Sequence, residues 1–126
     1  MLGYVILYVK DVAGSIAFYE QAFGLTRRFL HDENGKAYGE LDTGAARISF
    51  ASLPLAADIL GDSAVTFPTA SKTLSFEIAL VTGDVAALFS RAVEAGAQPV
   101  KPPAAKPWGH LRDSDGHLVE LCSPLA

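Results

Sequence analysis

The chain has 126 residues, half of them hydrophobic, with a formal net charge of -4 and one cysteine. That length suits a single compact domain with a real core, spanning residues 1–126. Mild acidity without a Lys/Arg cluster argues against a nucleic-acid or anionic-membrane surface, and a lone Cys122 excludes an intramolecular disulfide framework. No apolar run approaches the roughly 20 residues that span a bilayer, and nothing like a signal peptide precedes the first strand, so a cytoplasmic protein outside the membrane is expected.

Residues 4–10 form a short apolar and β-branched run that reads as a strand. Asp11 then caps a helix carrying Ile16, Phe18, Tyr19 and Phe23, which Gly24 ends. Residues 25–31 and 37–42 read as strands joined by the Asp32-Glu33-Asn34-Gly35 turn, and residues 47–52 as another after Thr43-Gly44. Residues 54–73, with Pro54, Gly61 and Pro68, read as a connector holding one helical turn around 56–60. Beyond it come a strand at 74–81, a helix at 84–95, a strand at 98–101 and a short strand within 106–112. An Asp113-Ser114-Asp115-Gly116 turn leads into the last strand, 117–122.

These elements repeat. A strand, an Asp-Val-Ala helix start and a Gly-ended helix occur at Tyr4, Asp11 and Gly24, and again at Glu77, Asp84 and Gly96. The repeat predicts two similar modules, about 1–53 and 74–126. Strand alternation then sorts the side chains. With Val5, Leu7 and Val9 on the first helix, Tyr4, Ile6 and Tyr8 face away from it; Ile48 and Phe50 leave Arg47, Ser49 and Ala51 on that side. In the second module Phe76, Ile78 and Leu80 are expected on the helix and Glu77, Ala79 and Val81 opposite. There Val119 and Leu121 leave Leu118, Glu120 and Cys122. Tyr4, Ser49, Glu77 and Glu120 are thus expected to converge, and Tyr4 and Glu77 each stand seven residues before their helix-starting Asp.

The chain resembles the vicinal oxygen chelate superfamily, which includes glyoxalase I, extradiol dioxygenases and bleomycin-resistance proteins. The resemblance is carried by Val9-Lys10-Asp11 with Phe18-Tyr19 and Phe23-Gly24-Leu25, by Gly83-Asp84-Val85, and by Arg112-Asp113-Ser114-Asp115-Gly116-His117-Leu118-Val119-Glu120. It implies an α+β fold of two tandem βαβββ modules forming a half-open barrel around a small-molecule cleft, and often a homodimer. It also implies that Tyr4, Ser49, Glu77 and Glu120 occupy the positions where metal-dependent members carry His and Glu ligands. The segment between Gly109 and Asp113 is shorter than in such relatives, which leaves any pocket residue on it unassigned.

Function must be argued from the site rather than the fold. A catalytic divalent ion with an open position usually keeps at least three protein ligands. Neutral Tyr4 and Ser49 are poor ones, His31, His110 and His117 have no evident place, and two carboxylates remain. No catalytic metal cofactor is therefore expected, the alternative being an oxygen-only site for a hard cation at Glu77 and Glu120, completed by water. Those two acids could equally form a structural ion pair with Arg47 or Arg112. Trp108, between Pro107 and Gly109, either caps the cleft or wedges a turn, while Cys122 reads as a packed thiol.

Three functions follow. The first is a metal-free protein that binds an aromatic or cationic compound through Tyr4, Tyr8, Arg47, Ser49, Glu77, Trp108 and Glu120. The second is a glyoxalase-like lyase, isomerase or dioxygenase using Glu77 and Glu120, with a metal or with one acid as base. The third is a dimeric interaction module with a filled cleft. Sequence leaves open whether the protein is an enzyme.

Overall fold

The computed structural model describes residues 1–61, 67–69, 71–104 and 107–124. In chain order the elements are β1 (Tyr4–Val9), α1 (Val12–Phe23), β2 (Thr26–Glu33), β3 (Lys36–Asp42), β4 (Arg47–Ser52), α2 (Leu53–Leu60), β5 (Ile78–Val81), α3 (Val85–Glu94), β6 (Gln98–Lys101), β7 (Trp108–Arg112) and β8 (Leu118–Cys122). The fold is α+β, with two tandem βαβββ modules, β1-α1-β2-β3-β4 and β5-α3-β6-β7-β8. Packing divides the chain into two compact units, one ending before Phe67 and the other running onward from it, with Gln21–Phe23 of α1 joining the second. No helix among the described residues is long and apolar enough to cross a membrane.

The first sheet has the order β1-β4-β3-β2 and the second β5-β8-β7-β6, so each module builds the same open topology. In both, the first and last strands of the module pair in parallel and the others antiparallel. A parallel neighbour needs a long connection, here the helix and two strands that lie between the first and last strands of each module. Both helices start as the repeated Asp predicts: Asp11 Oδ1 accepts from Gly14 N at 3.1 Å and Asp84 Oδ1 from Ala87 N at 3.0 Å. Gly24 ends α1 in the left-handed conformation, at φ 72°.

In the first unit Leu7, Val9, Leu41 and Phe50 are buried with Val12, Ile16 and Tyr19 of α1. Tyr19 meets Phe50 edge to face, ring centroids 5.1 Å apart. Gly39 lets the helix approach, since a Cβ there would lie 2.3 Å from Ile16 Cδ1. The β2–β3 turn narrows to Asn34 and Gly35, both at positive φ, the pair that a two-residue hairpin turn requires. In the second unit Phe89 and Ala92 of α3 are buried with Leu111, Val119 and Leu121.

Three elements differ from expectation. The connector contains an eight-residue helix, α2, rather than one turn: Ser52 caps it, Pro54 sits in its first turn where no amide partner is lost, and Gly61 follows its end. Residues 62–66 and 70 of that connector, and Lys106 of the predicted β7 segment, lie outside the described residues. The strand expected over 74–81 begins only at Ile78, which pairs with Val119 of β8. Phe76, expected on the helix, therefore precedes the strand and is 46% exposed. His117 falls in the turn rather than in the last strand, held there by a bond from its amide to Asp113 Oδ1 at 2.9 Å.

Candidate functional site: an acid and histidine cluster on the second sheet

Alternation along β8 buries Val119 and Leu121 and leaves Leu118, Glu120 and Cys122 half-buried on the other face. Register then decides who meets whom: Glu120 lies opposite His110 on β7 and opposite Ala79 on β5, two residues beyond Glu77. The next row across the same face is Val81, Cys122 and Trp108. Glu77 and Glu120 come together, and His110 completes the group. His110 Nε2 lies 3.3 Å from Glu77 Oε2, and ligand atoms of Glu77, His110 and Glu120 all fall within 4.8 Å of one another.

The cluster is open to solvent, with the Glu77 side chain 37% exposed and that of His110 22%. Burial raises the Glu120 carboxyl above the usual glutamate range, and a hydrogen bond and like charge from Glu77 add to this, while His110 pulls it down. A hydrogen bond between two carboxyls requires a proton on one of them, so ionising both is disfavoured. Cys122 is also raised, first by burial and then by Glu120, and its Sγ contacts Leu80 O at 3.9 Å. That setting suits the packed thiol expected of it.

The counter-charges expected for the two acids are engaged elsewhere. Arg112, buried on β7, donates to the Thr69 carbonyl. Arg47 bonds the Gly44 carbonyl, reaches Asp42 Oδ1 at 3.2 Å and lies 3.6 Å from Glu40 Oε1. His110 takes the place proposed for an arginine because β7 is the strand hydrogen-bonded to β8.

In the first unit, Tyr4 lies opposite Arg47 and is 55% exposed, and Tyr8 lies half-buried opposite Ala51. Ser49 is fully buried, its hydroxyl 3.5 Å from Glu40 Oε2. Glu40 is a buried acid that the sequence reading passed over; Arg28 and Arg47 neutralise it. The pairing of β3 with β4 sets Glu40 opposite Ser49, a contact that alternation along one strand does not reveal. Trp108 stands on β7 itself, 41% exposed. His31 is exposed on β2 and stacks on Phe29, centroids 5.2 Å apart.

Two carboxylates and an imidazole so close together can receive a cation, whether an organic ammonium or a divalent ion, or exchange a proton with a bound molecule. The donor set fits a divalent ion with open positions: two oxygens and a nitrogen meet the three-ligand requirement that the sequence alone left unmet.

Comparison with known proteins gives the setting. No curated protein matches the chain. Among solved structures, a glyoxalase-related enzyme from Fulvimarina pelagi is 23% identical, with a TM-score of 0.80 over 98% of this chain and 88% of that one. TioX from Micromonospora sp. ML1 is 25% identical, with a TM-score of 0.70 over 99% of both chains. The fosfomycin resistance protein FosX from Listeria monocytogenes, in complex with Mn(II) and dihydroxypropylphosphonic acid, is 17% identical, with a TM-score of 0.70 over 99% of this chain and 90% of that one. A family model for the Glyoxalase/Bleomycin resistance protein/Dioxygenase superfamily matches residues 1–121, and with it the repeated modules and their glycine-ended first helix find their place: the chain belongs to that superfamily.

Proposed function

We propose that this protein binds a small cationic compound on the open face of its second sheet, with Glu77 and Glu120 receiving the positive charge and Trp108 offering an aromatic surface beside it. The observation that carries the proposal is the convergence of Glu77, His110 and Glu120 within 4.8 Å. Charge attraction and a ring face favour an ammonium or guanidinium attached to an apolar body. The proposal rests on the second sheet alone, because Ser49 is fully buried and Arg47 is held by its own neighbours.

A second reading is favoured by one specific fact, that His110 supplies a third donor. Glu77, His110 and Glu120 would then hold a divalent ion, and the chemistry such an ion supplies is polarisation of a substrate oxygen. In that case whichever carboxylate oxygens stay free would orient the substrate or hold its proton.

Trp108 is the single tryptophan of the chain, so its emission reports on this face. Titration with benzyltrimethylammonium and its neutral isostere should quench it saturably for the cation only, with binding weakened about tenfold or more in Glu120→Gln. Equal responses to both compounds would refute cation recognition. Metal content of protein purified without chelator, with thermal shifts on adding Mn(II) or Zn(II), separates the second reading; stoichiometric metal lost in Glu77→Ala would establish it. Light scattering on the same samples tests the homodimer expected from the family.

A further inference from the structure

The turn between β7 and β8 contains a second group of metal-ligating side chains that the function above does not use. Ligand atoms of Asp113, Asp115 and His117 lie within 4.8 Å of one another. Asp113 Oδ1 accepts from the amides of Asp115 and His117, each at 2.9 Å, which folds the turn around that carboxylate. Its other oxygen, Oδ2, is 3.4 Å from His117 Nδ1. His117 is 5% exposed, and its Nδ1 is buried without a hydrogen bond among the described residues. Burying such a nitrogen unsatisfied costs about 1–3 kcal/mol, and a neutral imidazole nitrogen is the commonest metal ligand.

The turn borders solvent on its Asp115 side. Asp113, Ser114, Asp115 and Gly116 line one side of a shallow depression of about 370 Å³, faced by Gln98 and Thr69. Arg112 also borders it, with its guanidinium engaged by the Thr69 carbonyl. Asp115 is half-buried on this rim, whereas the Asp113 side chain is fully buried.

We propose that Asp113 Oδ2, Asp115 and His117 Nδ1 form a site for a divalent cation in the β7–β8 turn, separate from the Glu77, His110 and Glu120 cluster. Two oxygens and one imidazole nitrogen suit a first-row ion such as Zn(II), bound with water in its remaining positions. Coordination there satisfies the buried nitrogen and ties the turn to the start of β8.

The test is a Zn(II) titration of the histidine-labelled protein, followed by the ring nitrogens in long-range proton–nitrogen spectra, with His117 assigned from its absence in His117→Gln. His117 Nδ1 should move out of the free-imidazole range at up to millimolar Zn(II). Losing a ligand should cost at least the roughly tenfold that losing an outer-shell partner does, so the midpoint in Asp115→Asn should rise about tenfold or more. The same shift should persist in Glu120→Gln. An unmoved His117 resonance in the wild-type protein overturns the proposal without any variant, as does a shift unaffected by Asp115→Asn or abolished by Glu120→Gln.

Discussion

Replacing Glu120 by Gln removes one of the two ionisable carboxyls that meet on the second sheet and keeps the shape of the side chain. The Glu120 carboxyl is raised above the ordinary value of 4.5 by burial and then by Glu77. Between 4.5 and that raised value the folded protein therefore binds more protons than the unfolded chain. Stability then falls as pH rises through this window. The stabilisation is fully present below the unfolded value and is lost once Glu120 ionises in the folded state.

The like-charge part of that effect follows from geometry. The ligand atoms lie within 4.8 Å, where two like charges repel by about 1 kcal/mol in water and about 3.5 kcal/mol at an effective dielectric of about 20. Glu77 is 37% exposed and His110 opposes the shift, so the lower figure applies. Urea unfolding from about pH 4 to about pH 7 should show Glu120→Gln gaining about 1 kcal/mol relative to wild type as pH rises. A stability difference that stays flat across that range, or that changes in the opposite sense, would refute the close carboxyl pair.

Packing gives sharper expectations. Gly39→Ala places a Cβ 2.3 Å from Ile16 Cδ1 and should cost about 1–3 kcal/mol in urea unfolding, whereas Gly3→Ala, with nothing within 4 Å, should be near neutral. Phe50→Ala empties a fully buried position against Tyr19 and should lose about 3–5 kcal/mol by the same assay. Asp84→Ala removes the cap bond to Ala87 N and should lower stability by about 1 kcal/mol, which Asp84→Ser should largely restore.

The superfamily's fold was legible because its signals are local. Asp11 and Asp84 cap helices through amides three residues away. Gly24 takes a left-handed φ that other residues resist. Asn34-Gly35 can turn a hairpin in two residues. Period-two alternation likewise placed Glu120 on the face opposite Val119 and Leu121 without knowledge of any partner strand.

Partnership was the part that local pattern could not supply. Alternation assigns a face to Glu77, Glu120 and Ser49, but strand order and register decide which side chains on that face touch. His110 met Glu120 because β7 pairs with β8 in a register set by the Asp113 turn, and the turn holds His117 through a side-chain bond that shortens β8 by one residue. Glu40 met Ser49 and Arg47 for the same reason, across β3 and β4. A one-residue change of register moves every side chain of a strand to the other face. Sequence thus determined most of the elements and the faces of β4 and β8, which depend on neighbours along the chain, whereas tertiary structure decided the ligand set, which depends on atoms brought together from separate strands.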